Sequence, residues 1–340
     1  MRYVIIGGSA AAIGCIEGIR SVDKTGEIIL ITGETEWNYS RPLISYLLEG
    51  KTTRDKMWCR PDSFFTRNGV TVKAGVLATA LDAGDRTVRL STGERLAYDR
   101  LLAATGSRPF VPPIPGLETG ERTFCFQTLS DASALAEALR PESRVLILGA
   151  GLTGVKCAEG IRGLCAQIAI ADLAPRVLPA VLDDTAAAMV QARMEEKGVR
   201  FYLNDSAAAF RGNTARLQSG TELEFDVLVT AVGVRPNTQL VADAGGAVDR
   251  GILVDGRCAT TLPDVYAAGD CAQGYDAVSG EKRMLPLWPN AMLQGETAGI
   301  NMAGGRADYT QGIALNASGV FGLHMVTAGS YEGESFTVQR

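Results

Sequence analysis

Residues 2–20, RYVIIGGSAAAIGCIEGIR, are echoed by residues 144–162, RVLILGAGLTGVKCAEGIR, and this pair decides the fold. Arg, the first Gly, Cys, Glu, Gly, Ile and the final Arg stand in register. Each copy is a short Val/Ile/Leu run, then a glycine turn, then apolar residues at helical spacing, which predicts strand, phosphate-type turn and helix. A second echo closes each copy: residues 98–109, YDRLLAATGSRP, parallel residues 225–236, FDVLVTAVGVRP. Repetition of both the opening and the closing strand predicts two complete Rossmann-like dinucleotide-binding domains of α/β class.

Composition places the joints. The proline-rich stretch 109–116, PFVPPIPG, and Gly245-Gly246 mark breaks in the pattern. Residues 251–270 are again strand-like and end VYAAGD, so the chain is expected to return to its first domain. The expected organisation is one domain over 1–113 and 246–308, a second over 114–245 inserted in it, and a short C-terminal segment over 309–340, strand-like over 312–316 with a turn near Gly319.

Gly149-Ala150-Gly151-Leu152-Thr153-Gly154 is a full GxGxxG after one strand and opening a helix. Its first glycine makes the turn, the second lets a pyrophosphate approach the backbone, and the third lets helix pack on strand. Asp172 ends the next strand, expected over 167–171, where a carboxylate accepts ribose hydroxyls and repels a 2′-phosphate; this favours NADH, while nearby Arg176 keeps NADPH open. The first copy is degenerate. It keeps Gly7 but has Ser9 in place of the second glycine and Ala12 in place of the third, with Ala10 and Ala11 between. Glu34, after a strand expected over 27–31, takes the ribose role there.

Bulk properties exclude several function classes. With 340 residues, 46% hydrophobic and 21% charged, the chain is long enough for two cores of roughly 150 residues each. Its 33 basic and 38 acidic residues give a net charge of −5, without the basic blocks that track a phosphate backbone, so no nucleic acid partner is expected. The start, Met1-Arg2 and an apolar run, resembles a secretory signal, but the same pattern recurs mid-chain, and no uncharged run spans a bilayer. A cytoplasmic location away from membranes is expected. Seven scattered cysteines without a CxxC and a single histidine, His324, argue against a metal site, a disulfide framework or a Ser/His triad.

The ordered set of first turn, Ala104-Thr105-Gly106, second turn, Ala231-Val232-Gly233 and the Gly269-Asp270 strand end resembles the FAD-dependent pyridine nucleotide-disulfide oxidoreductase superfamily, with its glutathione reductase-like two-dinucleotide fold, over essentially the whole chain. The resemblance implies FAD in the first domain and NADH in the second. On the FAD side it implies Gly7, Ser9, Ala10, Ala11, Ala12 and Glu34, then Arg41 and Pro42 at the pyrophosphate or ring, and the backbone at Ala78 by the adenine. It adds Ala104, Thr105, Gly106, Arg108, Gly269, Asp270 on the ribityl chain, and Trp288 where a helix starts by the flavin. Trp288 has core packing as its plainer reading. On the NAD side it implies Gly149, Gly151, Leu152, Thr153, Gly154, Asp172 and Gly233.

Relatives carry redox cysteines in the region WNYSRPLISYLLEG, residues 37–50, and this chain has none there. Its wording resembles the branch of rubredoxin reductases, ferredoxin reductases and the flavin domain of NADH-dependent nitrite reductase. Two positions depart from the pattern: Tyr46 replaces a lysine usual in ferredoxin reductases, and Lys156 replaces a glutamate by the nicotinamide. Both are candidate neighbours of the flavin, and Lys156 has an exposed helical lysine as its alternative. The expected activity is hydride transfer from NADH to FAD with electrons passed to a redox protein or partner subunit, and the resemblance implies a homodimer built through a C-terminal interface domain, of which residues 309–340 are expected to be a remnant or the start. Two alternatives stand: an NADH oxidase or thiol-dependent disulfide reductase using Cys59, and an FAD-binding structural subunit without turnover.

Overall fold

The computed structural model describes residues 1–117 and 122–330. From the amino end come β1 (Arg2–Ile6), α1 (Ala10–Val22), β2 (Glu27–Thr32), α2 (Ile44–Leu48), α3 (Asp62–Arg67) and β3 (Val70–Ala74). They are followed by β4 (Ala78–Asp82), β5 (Thr87–Leu90), β6 (Arg95–Ala97), β7 (Arg100–Ala103) and β8 (Ser107–Pro109). The middle holds β9 (Thr123–Phe124), α4 (Leu129–Ala138), β10 (Arg144–Leu148), α5 (Leu152–Ile161), β11 (Gln167–Asp172) and α6 (Asp184–Glu196). Next are β12 (Val199–Leu203), β13 (Ala207–Arg211), β14 (Thr214–Leu217), β15 (Glu222–Glu224), β16 (Val227–Thr230), β17 (Val234–Pro236) and α7 (Gln239–Asp243). The chain continues with β18 (Ile252–Leu253), β19 (Val265–Ala267), β20 (Ala272–Tyr275), β21 (Lys282–Met284), α8 (Trp288–Met302), β22 (Leu315–Val320) and β23 (Leu323–Ala328).

Two compact units result. The first comprises Met1–Ser40, Trp58–Ser107 and Pro236–Leu315; the second comprises Arg41–Met57, Arg108–Arg235 and Asn316–Arg340. Segment Arg41–Met57 therefore groups with the second unit, whereas the sequence assigned it to the first. Residues 118–121, within the expected second domain, and 331–340, within the expected C-terminal segment, lie outside the described residues.

The fold is mixed α/β with parallel sheets, as the repeats predict, and the repeats recur in three dimensions. The first unit has a five-stranded parallel sheet in the order β19-β7-β1-β2-β3. The second has β9-β16-β10-β11-β12, in which β16-β10-β11-β12 repeat β7-β1-β2-β3, while the edge strand differs: β9 precedes β10 in the chain and β19 follows β7. Parallel strands need a crossover, and α1 provides it from β1 to β2 as α5 does from β10 to β11. Tyr3, Val4 and Ile5 are 0% exposed, which is why these strands are continuous apolar runs instead of alternating ones. Each unit also carries a three-stranded antiparallel sheet, β4-β5-β6 and β13-β14-β15, with a register shift at Ala78/Ala80 and at Ala207/Ala209. Even the strand starts match: Arg2 N donates to Asp99 Oδ2 at 2.6 Å, and Arg144 N to Asp226 Oδ2 at 2.8 Å.

In the first unit, α1 and α8 meet backbone to backbone. A Cβ on Gly14 or Gly18 would lie 2.1 Å from Met292 O or 2.2 Å from Glu296 O. Reciprocally, a Cβ on Gly295 or Gly299 would lie 2.0 Å from Ala11 O or 2.2 Å from Cys15 O. Two glycines four apart on each helix thus remove the layer of side chains that ordinarily holds packed helices ~8–10 Å apart.

Two strand expectations shift. Within 251–270 only β18 and β19 are regular, because Asp255 accepts the backbone amides of Arg257 and Ala259 and turns the chain between them. At the C-terminus the strand begins at Leu315 and runs through Gly319 to Val320, and the turn falls at Phe321-Gly322. Both turn residues have positive φ, 48° and 83°, the combination a two-residue hairpin connection requires.

Candidate functional site

In the second unit the glycine turn has the geometry its spacing predicts. Gly149 has φ +110°, and a Cβ there would sit 2.3 Å from Ala231 O. A Cβ on Gly154 would lie 2.0 Å from Gly149 O, so the third position accepts only glycine. Gly151 differs: it is the extended N-cap of α5, and a Cβ there meets nothing within 4 Å. The middle of the turn thus opens onto space while its two ends are packed, as a backbone that receives a pyrophosphate must be. Asp172, at the end of β11, accepts Ala150 N at 2.6 Å and Ala174 N at 2.7 Å, which ties its carboxylate to the turn. Gly233 (φ +108°), at the close of this copy, also faces open space and accepts Phe110 N at 3.0 Å. Arg176 donates to Leu182 O at 3.2 Å and pairs with Asp184 at 3.1 Å, so its guanidinium is engaged within its own loop.

The first unit brings most of its candidates together too. Gly7 (φ +122°) would place a Cβ 2.0 Å from Ala104 O, and its N–H donates to Ile31 O at 2.8 Å. Ser9 is the N-cap of α1, extended and without a side-chain capping bond. Ala10, Ala11 and Ala12 are buried in the first turn; Ala12 carries a methyl where the second unit admits only Gly154, so the two turns differ in shape. Thr105 and Asn237 bond reciprocally, Thr105 Oγ1 to Asn237 O at 2.6 Å and Asn237 Nδ2 to Thr105 O at 2.9 Å, and Gly106 (φ +65°), whose carbonyl accepts Asn237 N at 2.9 Å, faces open space. Gly269 (φ +81°) lies against Ala11, and Ser107 Oγ contacts Asp270 Oδ2 at 3.4 Å. Near Ala78, Leu77 is 60% exposed, and Gly75 N donates to Glu34 O at 3.3 Å, so this loop lies along Glu34. Trp288 opens α8, with proline in the first turn, and packs against the core of this unit.

Among the helices of ten or more residues, the helix ends fall into two groups. Helices α4 and α6 begin with side-chain caps, Thr128 with Asp131 and Asp183 with Asp184, the usual way to satisfy first-turn N–H groups. Helices α1, α5 and α8 have neither a side-chain cap nor an acidic residue in the first turn. Their positive ends are left to an anion, and the two glycine turns therefore fit dinucleotide pyrophosphates.

Several candidates group with the second unit. Arg41, Pro42 and Arg108 belong to the second unit, where Arg41 donates to Gln127 O at 2.9 Å. Lys156 and Tyr46 meet in that unit, the ammonium 4.3 Å over the ring. Lys156 also bonds Glu159 and donates to Gly319 O at 2.9 Å, while Glu159, 3% exposed, accepts Phe321 N at 2.6 Å. This lysine is no exposed helical residue; with Glu159 it fastens the C-terminal hairpin to α5. Burial raises the thiols of Cys15, Cys59, Cys157, Cys165, Cys258 and Cys271, the opposite of what a reactive thiolate needs. Among the described residues no three His, Cys, Asp or Glu side chains gather as a metal site, and no helix is long and apolar enough to cross a membrane.

Sequence reading missed Gln294 and Asn237. Gln294, 2% exposed on α8, accepts Gly269 N at 2.7 Å and so sets the peptide that leads into Asp270. Only the glycine at 269 hints that an outside acceptor is needed there.

Fold and turns together define a dinucleotide-binding α/β oxidoreductase. The chain belongs to the pyridine nucleotide-disulphide oxidoreductase family, whose model matches residues 1–295. It is 34% identical over 335 residues to the NADH-dependent phenylglyoxylate dehydrogenase subunit epsilon of Aromatoleum evansii, covering 97% of this chain and 79% of that one. It is 30% identical to the assimilatory nitrate reductase electron transfer subunit of Bacillus subtilis, covering 99% of this chain and only 44% of the relative. The structure of the covalent putidaredoxin reductase–putidaredoxin complex superposes with a TM-score of 0.91 at 26% identity, covering 98% of this chain and 82% of that chain.

Proposed function

We propose that this protein is an FAD-dependent NADH:acceptor oxidoreductase that passes electrons to a redox protein or partner subunit without a redox-active disulfide. The observation that carries this reading is the pair of equivalent parallel sheets, each feeding a glycine turn into an uncapped, acid-free helix end. Family membership and the NADH-dependent relative support FAD and NADH as the two cofactors. The first unit is the FAD-binding one in this reading and the second the NAD-binding one. The electron transfer relative and the putidaredoxin reductase likeness support a redox protein as acceptor.

When bound, the two cofactors supply the redox chemistry themselves, a hydride passing from nicotinamide to flavin. The chain's own work is to bind and orient. The N–H groups at the starts of α1 and α5 take the pyrophosphates, Glu34 and Asp172 accept ribose hydroxyls, and Thr105, Gly106 and Asp270 line the flavin side. Arg176, engaged by Leu182 and Asp184, is not poised for a 2′-phosphate, which supports NADH over NADPH. The seven free cysteines suit a reducing cytoplasm. A homodimer completes the reading, and a monomer mass by light scattering would remove that part.

The decisive experiment is anaerobic mixing of the FAD-loaded protein with NADH. Bleaching of the flavin band is expected, slower with NADPH; an unchanged spectrum with both nucleotides overturns the reading.

A further inference from the structure

The segment that lacks the expected cysteines has another feature, at Tyr39. Its ring is 3% exposed, and its hydroxyl donates to Glu34 Oε2 at 2.6 Å. That length is in the range of about 2.5–2.7 Å for a hydroxyl on an ionised carboxylate, the stronger class of hydrogen bond. Neighbouring bonds fix the tyrosine. Asn38, buried with φ +66°, turns the chain so that its N–H meets Gly8 O at 3.3 Å and its carbonyl accepts Cys59 N at 2.8 Å. Its carboxamide donates to Arg60 O at 2.6 Å, and Arg60 in turn pairs with Glu17 on α1 at 2.8 Å. Tyr39 itself bridges to Trp58 by backbone.

One short segment therefore links the glycine turn, through Gly8, to the carboxylate at the end of β2. We propose that Tyr39 is a positioning residue for the adenosine end of the flavin nucleotide, acting by holding the plane of the Glu34 carboxylate; this rests on the FAD reading above. Glu34 follows β2 on a loop where a flexible side chain samples several rotamers, and a fixed donor removes that freedom before ligand arrives. A carboxylate accepts at two oxygens, so a bond that sets its plane is compatible with hydroxyls donating to it.

Tyr39→Phe keeps the ring and removes the donor. Fluorescence titration of FAD-free protein should give about tenfold weaker FAD binding for this variant, the upper end of the cost of ordering one side chain on binding. Binding of FMN, which lacks the adenosine, should stay within about twofold. Where FMN is too weak to titrate, the Glu34→Gln background decides: there Tyr39→Phe should cost less than about twofold, because the charged acceptor is gone. Equal losses for FAD and FMN, an unchanged FAD affinity, or a full tenfold loss in the Glu34→Gln background overturns the proposal. Wild-type protein that takes up no FAD overturns the parent reading and this one with it, whereas tight FAD binding unaffected by Tyr39→Phe overturns this one alone.

Discussion

At the scale of single residues, Gln294 carries more than its type suggests. Its Oε1 is the acceptor for Gly269 N inside the first unit; Gln294 is buried and Gly269 half-buried. Gln294→Leu leaves that N–H without a partner and should cost about 1–3 kcal/mol, whereas Gln294→Glu keeps an acceptor and should bind FAD more tightly than the Leu variant. Urea unfolding and FAD titration of both variants check this; equal behaviour of Leu and Glu would count against it. A pH effect is expected at Asp23, which backbone N–H groups of Thr25 and Gly26 and the Tyr3 hydroxyl hold down at about 2 against an ordinary value of 3.8. A carboxyl depressed by folding stabilises above its unfolded pKa, and that contribution disappears as pH falls from about 4 through about 2. Asp23→Asn should therefore narrow its stability deficit relative to wild type between pH 5 and pH 2.5, and parallel pH curves would refute the assignment. The place of Asp172 at the end of β11 was legible because it closes the apolar run over 167–171, while Gln294 was not, since its partner lies 25 positions away and only the packing of α8 joins them.

At the scale of elements, the contact of α1 with α8 sets the position of two helix starts in the first unit. Alanine is the better helix former by ~1 kcal/mol, so a glycine to alanine change in an open helix position is neutral or helpful. At Gly299 the opposite is expected, because the added Cβ would meet Cys15 O at 2.2 Å and Ile19 N at 2.9 Å, backbone atoms that no rotamer change can move. Gly299→Ala should lose about 1–3 kcal/mol by overpacking and lower FAD affinity with it, while Gly163→Ala, where a Cβ meets nothing within 4 Å, should be close to neutral. Urea midpoints of the two variants test the contrast. The glycine spacing of both helices is present in the sequence, but nothing local says which helix faces which. The repeat was legible because both ends of each copy recur. The C-terminal turn was misplaced because Gly319 is the conspicuous glycine, whereas the turn is made by Phe321 with Gly322, and Glu159 fixes it by accepting Phe321 N.

For the molecule as a whole, the duplicated architecture makes a thermodynamic demand. Each unit has its own sheet, its own core and its own glycine turn, so FAD and NAD⁺ should bind as separate ligands instead of competitors. A ligand that binds only the folded state stabilises it by ~2.7 kcal/mol at a hundredfold excess over Kd. Two ligands at independent sites stabilise additively, whereas two ligands for one site do not, because saturation with the first leaves nothing for the second to occupy. Calorimetric unfolding of FAD-free protein with FAD, with NAD⁺ and with both therefore distinguishes the cases. The midpoint should rise with each ligand and rise further with both, and Asp172→Ala should abolish the NAD⁺ increment while leaving the FAD increment in place. If NAD⁺ added to FAD-saturated protein gives no further rise, or displaces the flavin into solution, the two turns do not serve two nucleotides, and the resemblance between the units is ancestry without division of labour.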